Sequence, residues 1–254
     1  MPSQEESFHP RLLSMETSIV RPAVFSCEVE AEDAILCFSQ DIFSCLVDAF
    51  SLHDGGDAPG LPGALEGKVD DTIGIYMACF GAPAAGMLME ALIASGVKRF
   101  AMVGQAGAIS PRCGIGDVFL PTWGVREEGT SYHYLSPEVR CEVSQDLLGT
   151  IKGYFKTIDF VEGGVWTTDA PFRETVDKVQ RFAKEGVLAV EMECTALMAI
   201  AAYRCVEFAA ALVITDHLFS GEWVQAFGSA EVIRGQELLC RTVAEGFRQR
   251  GGFT

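Results

Sequence analysis

The sequence predicts a three-layer α/β domain. Short apolar runs at 34–38, 99–103, 187–190 and 208–214 have the length and composition of buried strands. Between them lie stretches with helical spacing, most clearly at 41–50, 82–94 and 194–204. Alternation of this kind buries a sheet between helical layers. Several runs stop at glycines or carboxylates, and in open α/β sheets ligands bind outside the carboxyl ends of the strands.

Taken in order, residues 1–32 mix charge, Pro10 and Pro22 with short apolar pieces; they are expected to wrap over the domain or reach a neighbouring subunit. A first buried strand follows at 34–38, then a helix at 41–50. Seven glycines and prolines between Gly55 and Gly67 make 51–71 a loop or hairpin connection. Residues 72–80 form a strand. Gly81-Ala82-Pro83 then opens a helix with proline near its first turn, and Gly96 closes it. The Met87, Leu88, Ala91, Leu92 face of that helix is most simply core.

The strand at 99–103 runs into Gly104-Gln105-Ala106-Gly107-Ala108, expected to be a tight glycine turn whose N–H groups approach a ligand. Strands follow at 116–125 and 159–166, separated by the polar loop 126–133, and 171–183 is helical. The centre of the chain is the strand–helix–strand unit 187–216. Its first strand ends at Glu191-Met192-Glu193 and its second at Thr215-Asp216. A carboxylate after a strand commonly caps the next helix. The whole pattern across one unit is instead read as functional. A glycine- and tryptophan-containing loop at 219–229 and a long helix at 231–248 complete one domain spanning 1–254.

Composition narrows the function. A formal charge of −16 repels phosphate backbones, which argues against nucleic acid as a partner. No apolar run reaches membrane-spanning length, and 1–16 is polar and acidic rather than a signal peptide. The nine scattered cysteines include no Cys-x-x-Cys pair and fit a reducing cytoplasm. With four histidines and no ligand spacing, no metal is expected.

Five segments together resemble the nucleoside phosphorylase family, which includes purine nucleoside phosphorylases, uridine phosphorylases and related nucleosidases. They are 104–108, Gly116-Asp117-Val118, 126–131, 164–169 and 190–193. The resemblance covers about 34–248. It implies a mixed, twisted and partly closed sheet flanked by helices, and cleavage of the bond between ribose C1′ and a nucleobase. It also implies a homo-oligomer, dimer or hexamer, and no cofactor, with phosphate as a possible co-substrate.

By the same resemblance, Glu193 would accept hydrogen bonds from the ribose hydroxyls and favour a cationic sugar. Met192 would pack on the sugar, with Glu191 beside it. Trp166 would stack on the base next to Thr167, although a tryptophan there is as readily core. Asp216 would be the general acid at the base nitrogen, which tilts the substrate towards a purine. Gly104 and Gln105 would face the nucleophile. Glu193 and Asp216 are expected in one cleft.

The phosphate site departs from the family pattern. The position of one family arginine is Phe43 and that of another is Met102. Residues 22–98 contain no arginine. Phosphate calls for bidentate, permanently charged donors; Lys68 and Arg99 have no spacing that makes them substitutes. Three readings remain: phosphorolysis with phosphate bound in an altered way, hydrolysis with Asp41 as the base that activates water, and a nucleoside-binding protein that has lost catalysis. Asp41 has the plainer reading of a residue in a helix's first turn. Nucleoside cleavage with Glu193 and Asp216 as the catalytic pair is the expectation carried forward.

Overall fold

The structure is a computed structural model that describes residues 18–25, 31–52, 56–57, 65–68 and 73–250. The proposed arm therefore lies largely outside the described residues, as does most of the 51–71 connection. The strands are β1 (Asp33–Cys37), β2 (Gly56–Asp57), β3 (Leu65–Lys68), β4 (Ile73–Met77), β5 (Arg99–Ala108), β6 (Val118–Glu127), β7 (Cys141–Glu142), β8 (Val161–Thr168), β9 (Val187–Glu191), β10 (Glu207–His217) and β11 (Val224–Gln225). The helices are α1 (Gln40–Phe50), α2 (Ala82–Ala94), α3 (Gln145–Lys152), α4 (Val176–Lys184), α5 (Cys194–Arg204) and α6 (Ala230–Arg250).

The sheet is mixed, as expected. β5 lies parallel to β1 and to β10, while β9 joins the far end of β5 antiparallel. β10 also pairs β6, β6 pairs β8, and β8 pairs β9. These pairings return to β5, so five strands close on themselves and β1, β4, β3 and β2 extend the sheet on one side. β5 is the hinge of this arrangement because it borders both parts.

That position corrects the reading of 104–108 as a tight turn. The segment is the second half of β5, paired along one edge with Leu212–His217 and at its end with Val190 and Ala189. Ladders on both edges hold the glycines extended despite their local preference for turns. The segment 171–183 is not one helix: a single 3-10 turn at Pro171–Arg173 precedes α4, and Thr175 caps α4 through the N–H of Lys178. β7 and α3 lie in a stretch for which the sequence suggested no element.

The core is continuous across both helical layers. α5 is Ala-rich and buried on nearly all sides, wedged between α2 and the sheet. α1 begins at Ser39, whose hydroxyl accepts from the N–H of Ile42, and buries Ile42, Phe43, Leu46, Val47 and Phe50. Phe43, where the family pattern has an arginine, is thus a core side chain.

Candidate functional site

A cleft of about 390 Å3 opens where β1 and β9 end, against the middle of β5. It is lined by Phe38, Ser39, Phe80, Met102, Gly104, Gln105, Glu191, Met192, Glu193 and Phe227. The described residues thus bring five of the expected site residues together: Gly104, Gln105, Glu191, Met192 and Glu193. Among the described residues, no lysine or arginine lines it.

Glu191 and Glu193 are two residues apart and take different roles. Glu191 Oε2 accepts from the N–H groups of Glu193 and Cys194, each at 2.7 Å, and so caps the start of α5. Its Oε1 accepts from the Thr167 hydroxyl, whose oxygen in turn accepts from the N–H of Thr195 at 3.0 Å. Burial pushes the Glu191 carboxyl up, against the pull of these hydrogen bonds. Thr167, expected at the base, is absent from the cleft lining; its side chain and that of Glu191 hold the N-terminus of α5, while Glu191 also borders the cleft.

Glu193 is freed by that capping. It occupies the N-cap position of α5 without using its side chain as a cap. Its carboxylate turns into the cleft, where Oε1 accepts from the N–H of Gly81 at 2.5 Å. Gly81 has φ of 108°, a conformation glycine adopts without steric cost, and it aims this N–H from the start of α2. Glu193 is only 5% exposed. Burial, and then the charge of Glu191, push its pKa up to about 8; the N–H groups of Gly81 and Met192 oppose the rise.

Asp216 does not line the cleft. It pairs with Gly107 of β5, whose other edge carries Val190 of β9. Gly107 is two residues beyond Gln105, about 7 Å along a strand. The carboxylate lies against the Gly107 backbone: a Cβ there would be 2.8 Å from Asp216 Oδ2. Thr215 donates to Oδ1 at 2.8 Å and the indole N–H of Trp223 donates to Oδ2 at 2.7 Å. Both oxygens are thereby occupied and Asp216 is buried. The expectation of one open hollow shared by Glu193 and Asp216 is corrected: the loop that carries Trp223 covers Asp216, and the same loop sends Phe227 into the cleft.

Two further expectations are corrected. Trp166 is 0% exposed. Its ring packs on Phe182, centroids 4.8 Å apart, and its N–H donates to Glu127 Oε2 at 2.9 Å. No face remains for a base, because the strand turns this side chain towards α4. Asp41 is exposed in the first turn of α1 and lies outside the cleft lining.

Sequence reasoning missed several groups. Phe38 and Ser39 at the end of β1, and Phe80 before α2, complete the cleft wall. Gly81 was legible as a helix start but not as a donor to Glu193. Glu174, after the 3-10 turn, feels Asp216 and Glu127; burial first and then these charges push it up to about 7, against Lys178. Lys178 itself pairs with Glu127 at 2.5 Å.

Residues 60–244 match the model of the Phosphorylase superfamily. The chain is 33% identical over 171 residues to DeoD-type purine nucleoside phosphorylases of Bacillus cereus and Bacillus thuringiensis, spanning 64% of this chain and 70% of each relative. Among solved structures, uridine phosphorylase from Vibrio fischeri is similar at a TM-score of 0.75 and 22% identity, over 92% of this chain and all of that one. Purine nucleoside phosphorylase from Toxoplasma gondii gives 0.78 and 16% over 93% and 100%, and AMP nucleosidase from Bacteroides thetaiotaomicron gives 0.67 and 20% over 87% and 90%. These structures share the fold. The chain belongs to the phosphorylase superfamily and is an enzyme of its nucleoside phosphorylase and nucleosidase class.

Proposed function

We propose that this enzyme cleaves the N-ribosyl bond of a purine nucleoside and passes the sugar to water. The observation that carries the reading is the lining of the cleft: among the described residues, Glu191 and Glu193 stand in it and no lysine or arginine does. A phosphate dianion beside two buried carboxylates, without an arginine or lysine, would lose its hydration without a compensating partner.

Ionised Glu193 would accept from the ribose hydroxyls and stabilise the positive charge that develops at C1′. Met192 would pack on the sugar, with the apolar walls of Phe38, Phe80 and Phe227 excluding bulk water. Asp216, once released from Trp223, would carry a proton to the departing base. Bond breaking at C1′ that leads bond making asks little of the nucleophile, so water needs no strong base and Asp41 need not act. Gln105 would orient that water. The reaction as written uses no cofactor.

The test is a nucleoside panel with and without phosphate, read for both sugar products. Free ribose at a rate indifferent to phosphate is expected. Ribose 1-phosphate as the product, with no turnover in phosphate-free buffer, would sink the hydrolytic reading. Phosphorolysis is the second reading, favoured by the identity to relatives named purine nucleoside phosphorylases; it requires cations from outside the described cleft. A binder without catalysis would release no base in either buffer.

A homo-oligomer is part of the same proposal. Phe80, just before α2, and Met87, in its middle and expected to be core, are both exposed. Met87 borders a recess of about 550 Å3 that is also walled by Pro22, Phe25, Tyr134 and Tyr203. Covering such an apolar face favours association. Light scattering at the mass of a single chain would remove this part of the proposal.

A further inference from the structure

The chemistry above uses no cysteine, yet two thiols meet on the far side of the molecule's helical layer. α1 and α6 run side by side. Phe50 stands edge-on to Phe247 with centroids 6.1 Å apart, and Arg248 donates to the carbonyl of Ala49 at 2.8 Å. Nearer the start of α1, the Cys45 sulfur lies over one turn of α6, where its thiol donates to the carbonyl of Gln236 at 3.5 Å. Cys240 stands one turn further along α6, four residues from the carbonyl that the Cys45 thiol meets, and the two thiols influence each other.

The two sulfurs differ in environment. Cys45 is partly exposed and Cys240 is fully buried. The thiol of Cys240 holds Cys45 below the ordinary thiol range; burial, Glu237 and Asp48 oppose this, and Arg241 assists. The Cys45 thiol, together with burial, holds Cys240 in its protonated form. A part-exposed sulfur next to a sheltered thiol is the arrangement in which an oxidised cysteine is resolved by its neighbour.

We propose that Cys45 and Cys240 form a peroxide-responsive modification site that closes into a disulfide clamping α1 to α6. The Cys45 thiolate attacks one oxygen of a hydroperoxide; the O–O bond breaks and the other oxygen leaves as alkoxide or hydroxide, which takes up a proton. The Cys240 sulfur then attacks the Cys45 sulfenic acid, the S–O bond breaks, and water leaves with the thiol proton. Two thiols are oxidised and one peroxide is reduced. Two thiols on facing turns of packed helices need little movement to reach the separation a disulfide demands. The clamp joins the two helices whose leading segments enter the cleft: Phe38 and Ser39 before and at the cap of α1, and Phe227 before α6.

Exposed Cys79 and Cys205 compete for oxidant, so the experiment uses both the natural chain and a Cys79→Ser, Cys205→Ser form. Each is treated with hydrogen peroxide, alkylated, digested and mapped by mass spectrometry. A peptide linking residues 45 and 240, lighter by about 2 Da than the two thiols and split by dithiothreitol, is expected. Cys240→Ser should instead leave a sulfenic acid on Cys45 that dimedone captures. Recovery of Cys45 and Cys240 as separately alkylated thiols, after peroxide has oxidised other cysteines of the natural chain, would overturn the proposal. That mapping of the natural chain stands even where a variant misfolds.

Discussion

The indole N–H of Trp223 donates to Asp216 Oδ2 at 2.7 Å, from the loop that covers this carboxylate. An indole N–H can only donate, so the contact occupies this oxygen from the loop side. On the proposed reading, base binding requires the 219–229 loop to shift and Trp223 to leave Asp216. The measurable consequence is a change in Trp223 fluorescence when a purine nucleoside binds, absent in Trp223→Phe. Asp216→Asn should lower purine nucleoside turnover by about 10²–10⁴-fold. It should spare ribosides whose leaving group departs without a proton; an equal loss on both substrates would remove Asp216 from the acid role.

The proposed role of Glu193 makes the reaction pH-dependent. Its pKa stands at about 8, so its anion accumulates only as pH rises through that value. A cationic sugar needs the anion, and kcat/KM should climb to a plateau above about pH 8. Glu193→Gln should flatten this limb and lower turnover by about 10²–10³-fold. The stability effect has the opposite sign. The folded protein holds this proton at pH values where the unfolded chain has lost it, so the contribution of Glu193 to stability falls from the ordinary carboxylate range up to about pH 8. Glu193→Gln should thus melt above the natural protein at pH 8 and close to it at pH 4.

Glu191 lies in the same three-residue motif but should behave as a structural residue. Replacing it with alanine leaves two buried N–H groups at the start of α5 and the Thr167 hydroxyl without their acceptor. Loss of a helix cap costs about 0.5–2 kcal/mol, and buried unpaired donors add to it. A clear drop in unfolding midpoint is expected for Glu191→Ala, with partial recovery in Glu191→Gln. Trp166→Phe gives the matching control: it removes the N–H bond to Glu127 and should leave KM unchanged, because the ring has no exposed face.

The strand–helix–strand unit around α5 was legible because its signals are local. An apolar run, an Ala-rich stretch and a second apolar run each announce themselves within a few residues. The glycine segment 104–108 was misread for the same reason. Gly104 and Gly107 signal a turn locally, but β10 and β9 override that preference from more than 80 positions away. Motif position also leaves side-chain direction open. Glu191 and Glu193 share one motif, and only the placement of α5 and of Gly81 decides which carboxylate caps and which faces the cleft. Trp166 ends the expected strand, yet Phe182 of α4 claims its ring. The bond from Trp223 to Asp216 spans a loop whose path no periodicity describes.

Gly107 provides the sharpest test of how Asp216 is held. Its backbone pairs with Val190 and Asp216 on its two edges. A methyl group here would lie 2.8 Å from Asp216 Oδ2 and 3.0 Å from the Leu218 side chain, and both are too close. Asp216 cannot simply swing aside, because Thr215 and Trp223 hold its two oxygens. Gly107→Ala should fold, at a cost of about 1–3 kcal/mol for overpacking. Displacing a catalytic group by about 1 Å can slow a reaction about 10²-fold, so purine nucleoside turnover should fall by that order. Single-turnover rates on a riboside that leaves without a proton should change far less. If both substrates slow equally, the substitution has disturbed the sugar-binding end around Glu193, and the account of Gly107 as the seat of Asp216 fails.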